Sequence, residues 1–162
     1  KHLLLLAKNR NGYTNLCKMI SLSYTEGFYY RPRIDHELIE KYHDGLICLS
    51  ACLGGELPQL LIQGKHDEAQ KLALWYKGIY GRDYYIELQD QEMPGQGKLN
   101  SDLIEISKEC EIPCVITNDV HYIDQVESKY HDVMLAIQTK KLLSDEKRLR
   151  FGSDKFYFKC ED

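Results

Sequence analysis

Apolar positions along the chain recur with two different periods, and the alternation between them predicts the elements. Residues 2–7, 45–50, 84–88 and 113–118 are short apolar runs that read as strands. Between them, apolar residues fall at helical spacing. Tyr13, Leu16, Ile20 and Tyr24 predict an inward face for a helix over residues 12–26. Ala69, Leu72, Ala73, Tyr76 and Tyr80 do the same for residues 67–80, and Leu99, Leu103, Ile106 and Cys110 for residues 98–110. A helix opening at Asp124 carries Val126, Tyr130, Val133, Met134 and Ile137. Short helices are expected over residues 37–42 and 56–62, an aromatic loop over 27–36, a charged loop over 139–154 and a last short strand at Phe156–Phe158. Strand and helix alternate throughout. That order predicts an α/β fold with mostly parallel strands and crossover helices, in which functional residues gather at the C-terminal ends of the strands.

Composition narrows the class. The chain has 162 residues, 43% of them hydrophobic and 28% charged, which suits one globular domain. No apolar run reaches membrane-spanning length. The net charge of -4 argues against gripping nucleic acid by bulk positive charge. The segment from Lys140 to Arg150 is basic, but Asp145 and Glu146 dilute it, and it reads as a solvated face. The chain begins strand-like and without Met, so an excised piece of a longer protein is expected. None of the six cysteines forms a CxxC knuckle, and reduced thiols of a cytoplasmic protein are expected. Cys17, Cys48, Cys110, Cys114 and Cys160 read as small buried apolar residues; Cys52 is set apart by its place at a strand end.

Candidate chemistry concentrates at two such ends. Residues 117–122, Thr-Asn-Asp-Val-His-Tyr, follow an apolar run at 112–116 that reads as a buried strand. Asp119 and His121 are two apart, share a face, and have Cα atoms about 6.5–7 Å apart in extended chain. A carboxylate and an imidazole so placed suit a metal ion, although on spacing alone a capping Asp beside a half-buried His is the readier reading. Cys52, in Ser-Ala-Cys-Leu-Gly-Gly, ends the second strand, and a thiolate extends the donor set toward zinc. His2, on spacing alone, reads as an exposed terminal side chain. His36, His43, His66 and His131 read as solvated. Glu87 and Asp90 suit either supporting partners of a site or ordinary salt-bridge and turn acceptors.

Several ordered stretches resemble the PHP (polymerase and histidinol phosphatase) family, in the branch carried by the alpha subunit of bacterial DNA polymerase III. They are His-Leu-Leu-Leu-Leu-Ala-Lys-Asn at 2–9, Gly-Tyr-Thr-Asn-Leu at 12–16, Glu-Gly-Phe-Tyr-Tyr-Arg-Pro-Arg-Ile-Asp at 26–35, Leu-Ser-Ala-Cys-Leu-Gly-Gly-Glu at 49–56, Thr-Asn-Asp-Val-His-Tyr at 117–122 and Lys-Arg-Leu-Arg-Phe at 147–151. The resemblance covers essentially the whole chain, residues 1–162, as the C-terminal part of such a domain. It implies a partial, distorted (β/α)7 barrel with His2, Cys52, Asp119 and His121 as metal ligands. The divalent ions implied are zinc or manganese, up to three in an intact domain and fewer or none in this part. For the parent it implies template-directed DNA synthesis in DNA replication, a nucleotidyltransferase reaction. It further implies either metal-dependent phosphoesterase action as a 3'-5' exonuclease or a catalytically silent scaffold that docks subunits. A small-molecule phosphatase of the histidinol phosphatase type is the remaining alternative. The partners implied are DNA and other replicase subunits, including a proofreading exonuclease, and no membrane. The family's opening His-x-His ligands have no counterpart in this sequence, so this piece alone is expected to be inactive. Its unpaired strand edge invites pairing with a second copy.

Overall fold

The computed structural model describes residues 1–160. Four strands, β1 (Leu4–Ala7), β2 (Leu46–Leu49), β3 (Tyr84–Gln89) and β4 (Cys114–Thr117), form one sheet in the order β1-β2-β3-β4. The α-helices are α1 (Arg10–Thr25), α2 (His36–Lys41), α3 (Glu56–Ile62), α4 (His66–Tyr80), α5 (Gln96–Cys110) and α6 (Ser128–Gln138). The chain divides into two compact units, Lys1–Glu87 with Asp102–Val115, and Leu88–Ser101 with Ile116–Asp162. Among the described residues, no helix is long and apolar enough to cross a membrane.

The α/β class is as expected, but the sheet is not uniformly parallel. β2 and β3 run parallel, with the α3–α4 pair as their crossover, whereas β1 pairs antiparallel to β2 in the register Leu4↔Leu49 through Ala7↔Leu46. The described residues form a four-stranded open sheet, and the sevenfold barrel is not established by it. The physical reason lies in α1. It returns the chain alongside β1 instead of carrying it over the sheet, because its N-terminal turn is held against the residue that opens β2. Asn9 caps α1 by accepting from the Gly12 amide at 2.9 Å, the Lys8 amide donates to the Gly45 carbonyl at 2.9 Å, and Asn15 Nδ2 donates to the Asp44 carbonyl at 2.9 Å.

That close approach also reverses the face of α1. The buried residues are Gly12, Asn15, Met19 and Ser23, while Tyr13, Ile20 and Tyr24 are more than half exposed. Sequence periodicity finds the stripe but assigns it to the wrong side, since the helix docks on its small and polar residues. The same holds in α6: Leu135 and Ala136 are buried, and Tyr130, Met134 and Ile137 lie largely in solvent. By contrast α4 and α5 bury their expected faces, with Ala69, Ala73, Tyr76 and Tyr80, and Leu99, Leu103, Ile106 and Cys110, all inside. Tyr76 stacks on Tyr84 at 5.2 Å beneath β2 and β3.

β4 also departs from expectation. It is not buried on both faces, for Cys114 is exposed and Ile116 is 81% exposed. Of the cysteines expected inside, Cys48 and Cys110 are buried, but Cys17, Cys114 and Cys160 are exposed, on surfaces that no described element covers. Burial pushes the Cys48 thiol well up. Phe156–Phe158 forms no multi-residue strand; a single bridge joins Tyr157 to Tyr122.

The second unit has a small apolar core, chiefly Leu99, Leu135, Ala136 and Phe156, and relies on buried polar groups. Arg148, expected to be solvated, is 2% exposed at its side chain and forms a bidentate pair with Asp132 of α6. The Arg148 hydrogen bonds hold the Asp132 carboxyl below its ordinary range. Gln96 accepts from the Gln91 and Met93 amides at 2.9 and 3.2 Å and so organises the start of α5.

A Cβ at Gly12 would lie 1.9 Å from the Gly45 carbonyl oxygen, whereas one at Gly78 in α4 would meet nothing. Gly12→Ala should therefore destabilise by about 1–3 kcal/mol despite the helix propensity gained, and Gly78→Ala should stabilise by about 0.5–1 kcal/mol, both read by urea unfolding. Because the Asp132 pKa is depressed on folding, its contribution is present above the ordinary Asp value and is lost as pH falls through the lowered one. Asp132→Asn should lower stability at neutral pH and flatten the acid limb of the unfolding midpoint plotted against pH.

Candidate metal centre

The Ser-Ala-Cys-Leu-Gly-Gly segment after β2 is fixed backbone first. The Ser50 amide donates to the Tyr85 carbonyl at 3.1 Å, and Ser50 Oγ accepts from the Glu87 amide at 2.9 Å, so the exit from β2 is tied to β3. Ala51 then takes a left-handed conformation, φ 65°, which costs a non-glycine residue about 1–2 kcal/mol. This turn directs Cys52 out of the sheet. The Gly55 amide closes back on the Cys52 carbonyl at 2.8 Å, and Gln59 Nε2 donates to the Leu53 carbonyl at 2.7 Å from the first turns of α3.

The antiparallel register of β1 brings its beginning to this same place. The His2 amide donates to the Gly54 carbonyl at 2.9 Å, and His2 bridges to Gly55. His2 Nδ1 then lies 3.4 Å from Cys52 Sγ. His2, a plain terminal residue by spacing, is thus placed against Cys52 by backbone pairing across fifty positions. Ligands at ordinary zinc distances on two corners of a tetrahedron stand ~3.6 Å apart for one sulfur and one nitrogen. The thiol and imidazole therefore already have the separation that one shared ion requires. Gly54 is needed for this approach, since a Cβ there would sit 2.9 Å from His2 Nδ1.

Beside His2 opens a cavity of about 330 Å3, lined by Lys1, Asp35, His36, Glu56 and Tyr76 among others. His36 is exposed, as expected, and is engaged on two sides. Its Nε2 is 3.0 Å from Glu56 Oε2, and its ring lies 4.4 Å from that of Trp75. Tyr76 OH also reaches Glu56, at 3.4 Å, and burial together with that carboxylate raises the phenol pKa.

Asp119 and His121 lie in the second unit, in the loop after β4. Asp119 adopts φ 48°, a second left-handed turn at a strand exit. Both are exposed. His121 Nδ1 is 2.8 Å from the Asp119 carbonyl, which can only accept, so Nδ1 carries the proton and Nε2 presents its lone pair. The loop is held from two directions. The His121 amide donates to the Phe156 carbonyl at 2.8 Å, and Gln91 Nε2 donates to the Asn118 carbonyl at 3.1 Å. The His121 ring stands edge-on to Phe151 at 4.8 Å and to His131 at 5.5 Å. His131 is therefore packed rather than solvated; partial burial and the neighbouring His121 lower its pKa. His43 is also engaged, its Nδ1 2.6 Å from the Glu40 carbonyl.

Of the two acidic residues singled out near β3, Asp90 is a turn acceptor, taking the Glu92 amide at 3.0 Å, and Glu87 is buried. Gln91, Phe156 and Gly54 hold the candidate ligands in place and are invisible to a search for ligating side chains. The run of glutamines around Met93 was the available signal for Gln91, because buried amides pair with backbone.

Residues 1–91 match the family described as PHP domain. The DNA polymerase III subunit alpha of Deinococcus radiodurans is 49% identical over 158 residues, covering 98% of this chain and 12% of that protein. That of Treponema pallidum is 48% identical over 162 residues, covering 99% and 14%. That of Borreliella burgdorferi is 44% identical over 161 residues, again covering 99% and 14%. The chain thus spans about an eighth of the length of these relatives. With more than half of its residues matched, and with the histidine and cysteine of the quoted motifs in contact, the chain belongs to the PHP-domain family.

Proposed function

We propose that this chain is part of the alpha subunit of a bacterial replicative DNA polymerase, acting in DNA replication in the cytoplasm. Its PHP unit would be a metal-dependent phosphoesterase with 3'-5' exonuclease action on DNA. The observation that carries the reading is the approach of His2 to Cys52 at 3.4 Å, a nitrogen and a sulfur at the separation of two zinc ligands. The polymerase assignment rests on relatives at 42–49% identity over nearly the whole chain that bear that name.

His2 and Cys52 are metal ligands in this reading, as are Asp119 and His121. Zinc fits the thiolate and imidazole, and manganese fits the carboxylate and imidazole. A bound divalent ion supplies a water of lowered pKa and a positive charge facing the phosphodiester. The chain's own residues prepare for it. The Asp119 carbonyl fixes the His121 tautomer with Nε2 free, and the Gly54 backbone leaves room for the His2 ring. None of the four is assigned as a general base, since a ligating group is poorly free to accept protons.

A second reading, a scaffold that docks other replicase subunits, is favoured by the aromatic faces of α1 and α6 that lie in solvent. The two readings separate in the intact polymerase subunit. Gly54→Ala should push the His2 ring away from Cys52 and weaken zinc binding roughly 10–100-fold with little loss of fold. Asp119→Ala should lower metal content and exonuclease rate together, leaving polymerisation intact. Unchanged metal content and unchanged exonuclease rate in both variants would overturn the phosphoesterase reading. Loss of metal with replication and subunit binding intact would leave the scaffold role sufficient.

A further inference from the structure

The structure assigns a second metal site, outside the PHP ligand set, to the helical side of the first unit: His66, Glu105 and Glu109 form a three-donor site that clasps α4 to α5 with one divalent transition-metal ion. Glu105 and Glu109 are four apart on α5 and so stand one above the other on a single face. His66 opens α4 and points its Nε2 at that face, 3.9 Å from Glu109 Oε2. One ligand atom from each of the three lies within 4.8 Å of the others.

Three further observations point to a cation rather than to a chance grouping. First, His66 Nε2 is covered from solvent and has no hydrogen-bond partner among the described residues, although the rest of the ring is partly exposed. A covered ring nitrogen left unpaired costs about 1–3 kcal/mol, and ligation removes that cost. Second, two like charges four apart on a helix repel. Among the described residues neither Glu105 nor Glu109 has a Lys or Arg ion-pair partner within 4 Å to offset this. Third, Gln70, one turn beyond His66 on α4, donates to Glu109 Oε2 at 3.1 Å and steadies that carboxylate beside the imidazole. Helix α4 thus supplies both a ligand and a support for a ligand on α5.

The donor set decides the class of ion. One imidazole nitrogen and two carboxylate oxygens, with no thiolate, suit Zn2+, Mn2+ or Co2+. At zinc distances, tetrahedral neighbours stand ~3.4 Å apart. The observed spacings therefore close by roughly 1 Å, which rotation of exposed Glu side chains provides. Water fills the remaining position. The role is structural, joining two helices that flank the sheet, and no residue of the site is shared with His2, Cys52, Asp119 or His121.

Zinc chloride titrated into the full chain by calorimetry tests this, in a His2→Ala, Cys52→Ala, Asp119→Ala, His121→Ala background that removes all four PHP candidate ligands. One zinc equivalent should remain, and zinc should raise the melting temperature. His66→Ala should weaken that binding at least tenfold and abolish the thermal shift. The double variant Glu105→Gln, Glu109→Gln, which keeps side-chain shape, should do the same and guards against a folding defect at position 66. Zinc binding and thermal shift equal to the background in both variants would overturn the assignment, as would the absence of any zinc-dependent shift in the background chain. Failure of the PHP-site reading leaves this result untouched, because the background already lacks all four of those ligands.

Discussion

The antiparallel pairing of β1 with β2 is the constraint on which the approach of His2 to Cys52 depends. A strand entering parallel to β2 would carry its first residue to the far end of the sheet. Running the other way, with Leu4 opposite Leu49, β1 delivers His2 to the exit of β2, where Ala51 turns left-handed and Cys52 leaves the sheet. Register matters as much as direction, because a slip of one residue would place His2 on the opposite face. The register is held by backbone groups: the Lys8 amide on the Gly45 carbonyl at one end of β1 and the His2 amide on the Gly54 carbonyl at the other. His2 and Cys52 are therefore brought together by main-chain hydrogen bonds.

The elements themselves were legible, because hydrophobic periodicity reports burial. The buried stripe of α5 matches its apolar spacing residue for residue, and that of α4 does so at all but the half-buried Leu72. Periodicity failed where burial and apolarity part company. In α1 the contact is made by Gly12 and Asn15, whose value is small size and an amide, and no hydropathy pattern marks them. In α6 and β4 the apolar side chains are real but face solvent, so the pattern predicts a partner surface rather than a core. The parallel β2–β3 pair with its helical crossover was legible in the alternation of elements, whereas the antiparallel direction of β1 was not, since it is selected by a close approach, Gly12 on Gly45.

The candidate ligands were legible as residue types, but their environment was not. Asp119 and His121 were found by spacing, yet what prepares His121 is the Asp119 carbonyl, a backbone atom that no side-chain search reports. Cys52 and His2 needed a contact between residues fifty positions apart, which only tertiary structure supplies. Of the histidines read as solvated, His36 is exposed as expected, whereas His131 is half-buried against Phe151, a ring contributed by a distant segment.

The second unit shows how a small unit orders the loop over residues 117–122 with few apolar contacts. Its buried polar groups, Gln91, Gln96 and Arg148, each satisfy partners that would otherwise stay unpaired, and two of them act directly on the chain around residues 117–122 or on its flanking helices. Such networks are costly when broken, since a lost partner leaves a buried group unsatisfied. They are also specific, because an amide that must reach the Asn118 carbonyl fixes that loop more narrowly than an apolar contact does. A loop that presents a left-handed Asp119 and a tautomerically fixed His121 needs that narrowness. Polar burial here orders the loop that carries Asp119 and His121, while Tyr130, Met134 and Ile137 of α6 lie outside.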